Sequence, residues 1–79
     1  MSVQVLFFGA TADIAGTRSV EVDITSETSV AVLFEDILRR FPEMSSHKLK
    51  ISINQQYATL DHAIRDKDEL AIFAAVSGG

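Results

Sequence analysis

Apolar and polar positions alternate along Ser2–Phe8 (SVQVLFF), setting Val3, Val5 and Phe7 on one side and Gln4, Leu6 and Phe8 on the other. That period of two predicts a β-strand, which Gly9 ends. Thr11–Ala15 has room for one helical turn, and Gly16 suits the left-handed residue that closes such a turn. Ser19–Ile24 (SVEVDI) alternates more cleanly, with Val20, Val22 and Ile24 inward and Glu21 and Asp23 outward. The two strands are expected to pair antiparallel across a loop of about ten residues, long for a hairpin connection.

The period changes at Val30. Val30, Leu33, Phe34, Ile37, Leu38 and Phe41 recur at intervals of three and four, predicting a helix with one apolar stripe. Thr28 or Ser29 can cap its start. Glu35–Arg39 and Asp36–Arg40 are favourably ordered pairs on its polar side, and Pro42 stops it. After a connector at Glu43–His47, Leu49, Ile51 and Ile53 alternate with Lys50 and Ser52 as a third strand. Asn54-Gln55-Gln56 reads as a turn, Tyr57–Leu60 as a short edge-like segment, and Asp61–Asp68 as a polar loop anchored by Ile64. Glu69–Val76 is the last strand, with Leu70, Ile72, Ala74 and Val76 on one face and Ala71, Phe73 and Ala75 on the other.

This order predicts an α+β fold, a mixed four- to five-stranded sheet with one main helix packed on one face. The chain is expected to form a single domain over residues 1–79, with a flexible tail from about residue 75. One helix covers one face of a sheet, yet Leu6, Phe8 and Phe73 fall on the other. They form either a satellite core beneath a loop or a partner surface. An apolar patch on so small a domain favours the partner surface.

Composition removes most catalytic chemistry. The 79 residues are 47% hydrophobic and 23% charged, as in a folded globule, and contain no cysteine. Disulfides, thiolate catalysis and cysteine-based zinc sites are therefore excluded. His47 and His62 lack ligand spacing, so no metal site is expected. A triad of Ser77, His62 and Asp61 would place its nucleophile on the expected tail, without the rigid setting a nucleophile needs. The net charge of −4 comes without a basic stripe, which argues against a nucleic-acid partner. No apolar run reaches the roughly 20 residues that span a bilayer, and no basic signal region opens the chain, so a soluble, cytoplasmic protein without a membrane partner is expected.

The sequence closes on Val76-Ser77-Gly78-Gly79. Glycine packs nothing and weakens the element it ends, so this is either a frayed end or a thread narrow enough for a partner's channel. An α-carboxyl titrates near about 3.5 and is an anion at neutral pH, a poor electrophile. Chemistry at Gly79 would need prior activation, such as adenylation by ATP.

Val5-Leu6-Phe7-Phe8, Ser29-Val30, Asn54-Gln55-Gln56-Tyr57 with Asp61-His62, and Asp68-Glu69 leading to Phe73 and Val76-Ser77-Gly78-Gly79 together resemble the ubiquitin-like β-grasp proteins. More closely, they are similar to the small, sulfur-carrying subunits of molybdopterin synthase. The resemblance implies a subunit that is not an enzyme alone. Its terminal glycine, Gly79 here, is adenylated by a ubiquitin-activating-like enzyme and converted to a thiocarboxylate. The tail, here Ser77 and Gly78, then threads into the large subunit of a heterotetramer, and sulfur passes to a pterin precursor in molybdenum cofactor biosynthesis. No cofactor is bound tightly; ATP is used by the activating enzyme. Phe8, Tyr57, Phe73 and Val76 are the implied partner contacts, Tyr57 by resemblance alone. The chain departs from the family where Ala12 replaces a common arginine, Lys67 a usual glycine, and Ala74-Ala75 a usual proline pair. Those alanines imply a floppier tail or a longer last strand. Alternatives are a sulfur carrier for thiamine synthesis and a protein modifier conjugated through Gly79.

Overall fold

The computed structural model describes residues 2–24 and 28–74. In chain order the elements are β1 (Ser2–Phe8), α1 (Ala10–Ala15), β2 (Ser19–Asp23), β3 (Thr28–Ser29), α2 (Val30–Arg40), a 3-10 helix (Pro42–Ser46), β4 (Leu49–Ile53), β5 (Gln56–Tyr57), β6 (Ala63–Ile64) and β7 (Glu69–Ala74). Five strands form one sheet in the order β2-β1-β7-β4-β5, and β3 and β6 form a second, two-stranded one. The central pair β1–β7 is parallel, and every other pairing is antiparallel. The mixed sheet and its one long helix agree with the α+β expectation.

The core follows the two sequence periods. Val3, Val5 and Phe7 of β1, Val22 of β2, Ile51 and Ile53 of β4, and Leu70 and Ile72 of β7 are buried, together with Val30, Leu33 and Ile37 of α2. Met44, Ile64 and the Phe7–Phe41 ring pair (5.7 Å, edge-on at 79°) help close the ends. Each buried aliphatic side chain contributes roughly 1.5–3 kcal/mol relative to exposure, so this single layer of contacts holds the helix to the sheet.

Several local predictions are revised. Ser29 occupies the helix N-cap position in extended conformation, but its side chain makes no capping bond. Instead the N–H groups of Val30 and Ala31 donate to the carbonyls of His62 (2.9 Å) and Leu60 (2.8 Å). The predicted polar loop Asp61–Asp68 thus contains β6, which pairs Ile64 with Thr28 and Ala63 with Ser29. Of the two predicted helix pairs, Asp36–Arg40 closes at 3.1 Å and Glu35–Arg39 does not. The expected Tyr57–Leu60 edge is a strand only over Gln56–Tyr57, and it starts at Gln56 because Asn54 (φ 49°) and Gln55 (φ 73°) make a tight two-residue turn. The Glu43–His47 connector lies mostly in the 3-10 helix, where the hydroxyls of Ser45 and Ser46 donate to the carbonyls of Pro42 and Glu43. Gly16 closes α1 in the left-handed region, as predicted.

At the unusual positions, Lys67 adopts φ 67° although it is not glycine. Its N–H donates to Ser2 at 2.7 Å, so the left-handed turn is kept at the cost of strain. Ala12 is half-buried and packs against the core. Ala74 remains in β7, opposite Leu49. Ala75 and Val76, predicted to extend that strand, lie outside the described residues.

Candidate partner-docking face

Strand parity and register together assemble the face opposite α2. In the β1–β7 register Leu6 stands beside Ala71 and Phe8 beside Phe73. The β7–β4 pairing sets Phe73 beside Lys50 and Ala71 beside Ser52, and the β4–β5 hairpin sets Ser52 beside Tyr57. Because side chains at opposed positions share a face, these residues form two rows across four strands. Phe8 is 51% exposed and Tyr57 76%. Phe73, half-buried between them, has its ring centroid 6.0 Å from that of Tyr57, the planes tilted by 52°. The Lys50 ammonium lies 5.6 Å from the Tyr57 ring centroid, within cation–π range.

The face is graded from end to end. Around the aromatic rings an open depression of about 440 Å³ is lined by Leu6, Phe8, Ala71 and Phe73 with Ser52, Gln55 and Glu69. Two residues back along the strands the facing positions become Gln4, Glu21 and Glu69, all exposed. The apolar end therefore coincides with the C-terminal ends of β1 and β7. No described loop buries Phe8 or Tyr57, which decides for an open surface over a satellite core. A groove of similar size between β2 and α2 is bordered by both signs of charge, including the Asp36–Arg40 pair.

The predicted site residues divide cleanly. Phe8, Phe73 and Tyr57 come together on one face. Val76, Ser77, Gly78 and Gly79 lie outside the described residues. Sequence reasoning placed Tyr57 only by resemblance, although its parity follows from the two-residue turn at Asn54-Gln55. From the sequence, Thr11 is only the start of a single helical turn. Thr11 is fully buried, the one polar side chain so buried among the described residues. Asp61 and His62 sit on an exposed turn, where the Thr59 hydroxyl donates to the Asp61 carboxylate. That hydrogen bond, helped by a backbone N–H and the neighbouring imidazole, holds the Asp61 carboxyl below the usual carboxylate range. Among the described residues no cluster of three or more His, Asp or Glu is placed to hold a metal ion, and no helix is long and apolar enough to cross a membrane.

A five-stranded mixed sheet folded against one long helix, with its aromatic side left open, is the architecture of a ubiquitin-like β-grasp domain. The chain belongs to the ThiS family, whose model matches residues 5–79. It is 30% identical over 82 residues to the molybdopterin synthase sulfur carrier subunit of Mycobacterium tuberculosis, covering 100% of this chain and 99% of that one. Among solved structures it superposes on SAMP1 from Haloferax volcanii with a TM-score of 0.86 and 28% identity over 100% of both chains. The fold also matches a chain in the complex of subunits 1 and 2 of molybdopterin-converting factor from Helicobacter pylori, with a TM-score of 0.70 and 22% identity over 100% of both chains.

Proposed function

We propose that this chain is the sulfur-carrying subunit of a molybdopterin synthase, not an enzyme by itself, and that its reactive group is the carboxylate of Gly79. The observation that carries the reading is the open aromatic cluster of Phe8, Phe73 and Tyr57 on a ThiS-family sheet, a surface suited to a partner. The sulfur carrier of Mycobacterium tuberculosis and the two-subunit complex from Helicobacter pylori support a large synthase subunit as that partner.

The chemistry belongs to the partners. An activating enzyme joins the Gly79 carboxylate oxygen to the α-phosphorus of ATP, and pyrophosphate leaves. Hydrosulfide from the sulfur donor then attacks the acyl carbon, AMP departs, and a thiocarboxylate remains. In the large subunit that sulfur passes to a pterin precursor. Ser77 and Gly78 would thread the channel, with Val76 as a further apolar contact. The aromatic face raises the effective concentration of the tip at the partner's site.

The test is intact mass. After incubation with ATP, an activating enzyme and a sulfur donor, the chain gains about 16 Da, one oxygen exchanged for sulfur. A mass that never changes, or sulfur transfer that survives deletion of Gly79, overturns the proposal. The similarity to SAMP1, a small archaeal modifier protein, favours one second reading, conjugation to lysines through Gly79. Ladders of heavier conjugates in cell lysate would mark it.

A further inference from the structure

Thr11 is fully buried, and its hydroxyl is within hydrogen-bond distance of three backbone atoms belonging to two strands. Its Oγ1 lies 3.0 Å from the N of Phe8, whose N–H it accepts, and 2.8 Å from the carbonyl oxygens of both Phe8 and Ile72. A hydroxyl carries one proton, which serves one of those carbonyls at a time while the lone pairs remain free for the Phe8 N–H. The two strands are β1 and β7, and the contact falls at the end of their ladder, where Phe7 opposes Ile72 and Phe8 opposes Phe73. Gly9, at φ 60° and ψ −127°, makes the sharp turn that brings α1 back beneath this point.

The consequences lie on the opposite face. Phe8 is itself one partner of the hydroxyl, and Phe73 follows directly after the other. Beyond the backbone ladder itself, no other buried polar side chain lies there among the described residues. We infer that Thr11 is a positioning residue for partner docking: its hydroxyl locks the ends of β1 and β7 together, so that Phe8 and Phe73 present one preformed aromatic surface. The inference deepens the carrier reading and rests on it for the identity of the partner. Preorganisation of this kind lowers the ordering cost of association.

The experiment uses the full chain and its Thr11→Val, Thr11→Ser and Ile64→Val variants, the last a one-methylene loss in the core at β6. Thr11→Val removes the hydroxyl at nearly constant shape, taking its hydrogen bonds away from the Phe8 N–H and from the Phe8 and Ile72 carbonyls. Its affinity for a molybdopterin synthase large subunit is expected to fall about tenfold, and exchange of the Phe8 amide to quicken by a similar factor. Thr11→Ser, which keeps the hydroxyl, should restore both. Ile64→Val should lower stability and leave affinity unchanged, separating positioning from general loosening. In the unmodified chain the Thr11 hydroxyl proton should be visible by NMR as a slowly exchanging resonance, a readout that needs no variant to fold. Wild-type affinity in Thr11→Val, failure of serine to rescue, or a freely exchanging hydroxyl proton would each overturn the inference. If the unmodified chain does not bind the large subunit, the carrier reading fails. Phe8 amide exchange then decides the role of Thr11: faster exchange in Thr11→Val supports the lock, and unchanged exchange refutes it.

Discussion

Phe8 and Phe73 stand opposite each other across the parallel β1–β7 pair, on the side of the sheet that α2 leaves uncovered. Neither ring is among the buried core side chains, so either can be changed without opening a cavity. Phe73→Asp places a charge between Phe8 and Tyr57 and should weaken association with a large synthase subunit by about 2–4 kcal/mol. The unfolding midpoint of the isolated chain should move little. Titration calorimetry of the two proteins checks this, and undiminished affinity would remove Phe73 from the interface.

Lys67 offers a test of backbone strain. Its φ of 67° lies where a Cβ meets the following carbonyl, a conformation costing roughly 1–2 kcal/mol in an L-residue. The conformation persists because the turn is tied on every side. Lys67 N–H donates to the Ser2 carbonyl, Ser2 N–H to Asp66, Arg65 N–H to Asp68, and Asn54 also to Asp68. Lys67→Gly should therefore match or exceed the parent in stability, its greater unfolded-state entropy offsetting part of the relief. Lys67→Val, β-branched, should lose about 1–2 kcal/mol in urea titration. Equal midpoints for glycine and valine would show that the turn carries no strain.

How much of this was legible depended on element length. The stripe Val30–Leu33–Ile37 and the alternation in Ser2–Phe8 each repeat often enough to set a period, and both were read correctly. Ala63–Ile64 is two residues long and has no period, so only its partner strand Thr28–Ser29 reveals it. Tyr57 shows the same limit from another side. Its face is fixed by the turn before it, and Asn54-Gln55 lacks the glycine that usually announces positive φ at both positions. Thr11 was opaque for a different reason: a threonine in a short helix reads as solvent-facing until the fold brings Ile72 above it.

Asp61 gives a prediction in pH. The Thr59 hydroxyl stabilises its ionised form, with help from the backbone and His62, so the folded-state pKa is depressed relative to the unfolded chain. A depressed carboxylate adds stability that is present above its unfolded pKa, about 3.9, and is lost as pH falls through the folded value. The group is exposed, so the effect on stability is small and the titration itself is the measure. Carboxyl-carbon NMR should place the Asp61 midpoint below the usual aspartate range. Thr59→Val should move it back up. A midpoint that does not respond to Thr59→Val would mean that the hydroxyl is not its cause.

The start of α2 separates two ways of beginning a helix. Sequence favours Thr28 or Ser29 as a side-chain cap, and loss of such a cap typically costs about 1 kcal/mol. In the structure Ser29 makes no such bond, and the first N–H groups go to the carbonyls of His62 and Leu60. Those carbonyls are held in place by Ile64, which is fully buried and pairs with Thr28 across β3–β6. Ser29→Ala should consequently cost under about 0.5 kcal/mol, as ordinary surface changes do. Ile64→Ala should cost about 2–5 kcal/mol, through the cavity it leaves and the loss of the segment that caps the helix. Amide exchange at Val30 and Ala31 distinguishes these contributions, because both amides should lose protection in Ile64→Ala and keep it in Ser29→Ala. The reverse pattern would return the capping role to the serine side chain.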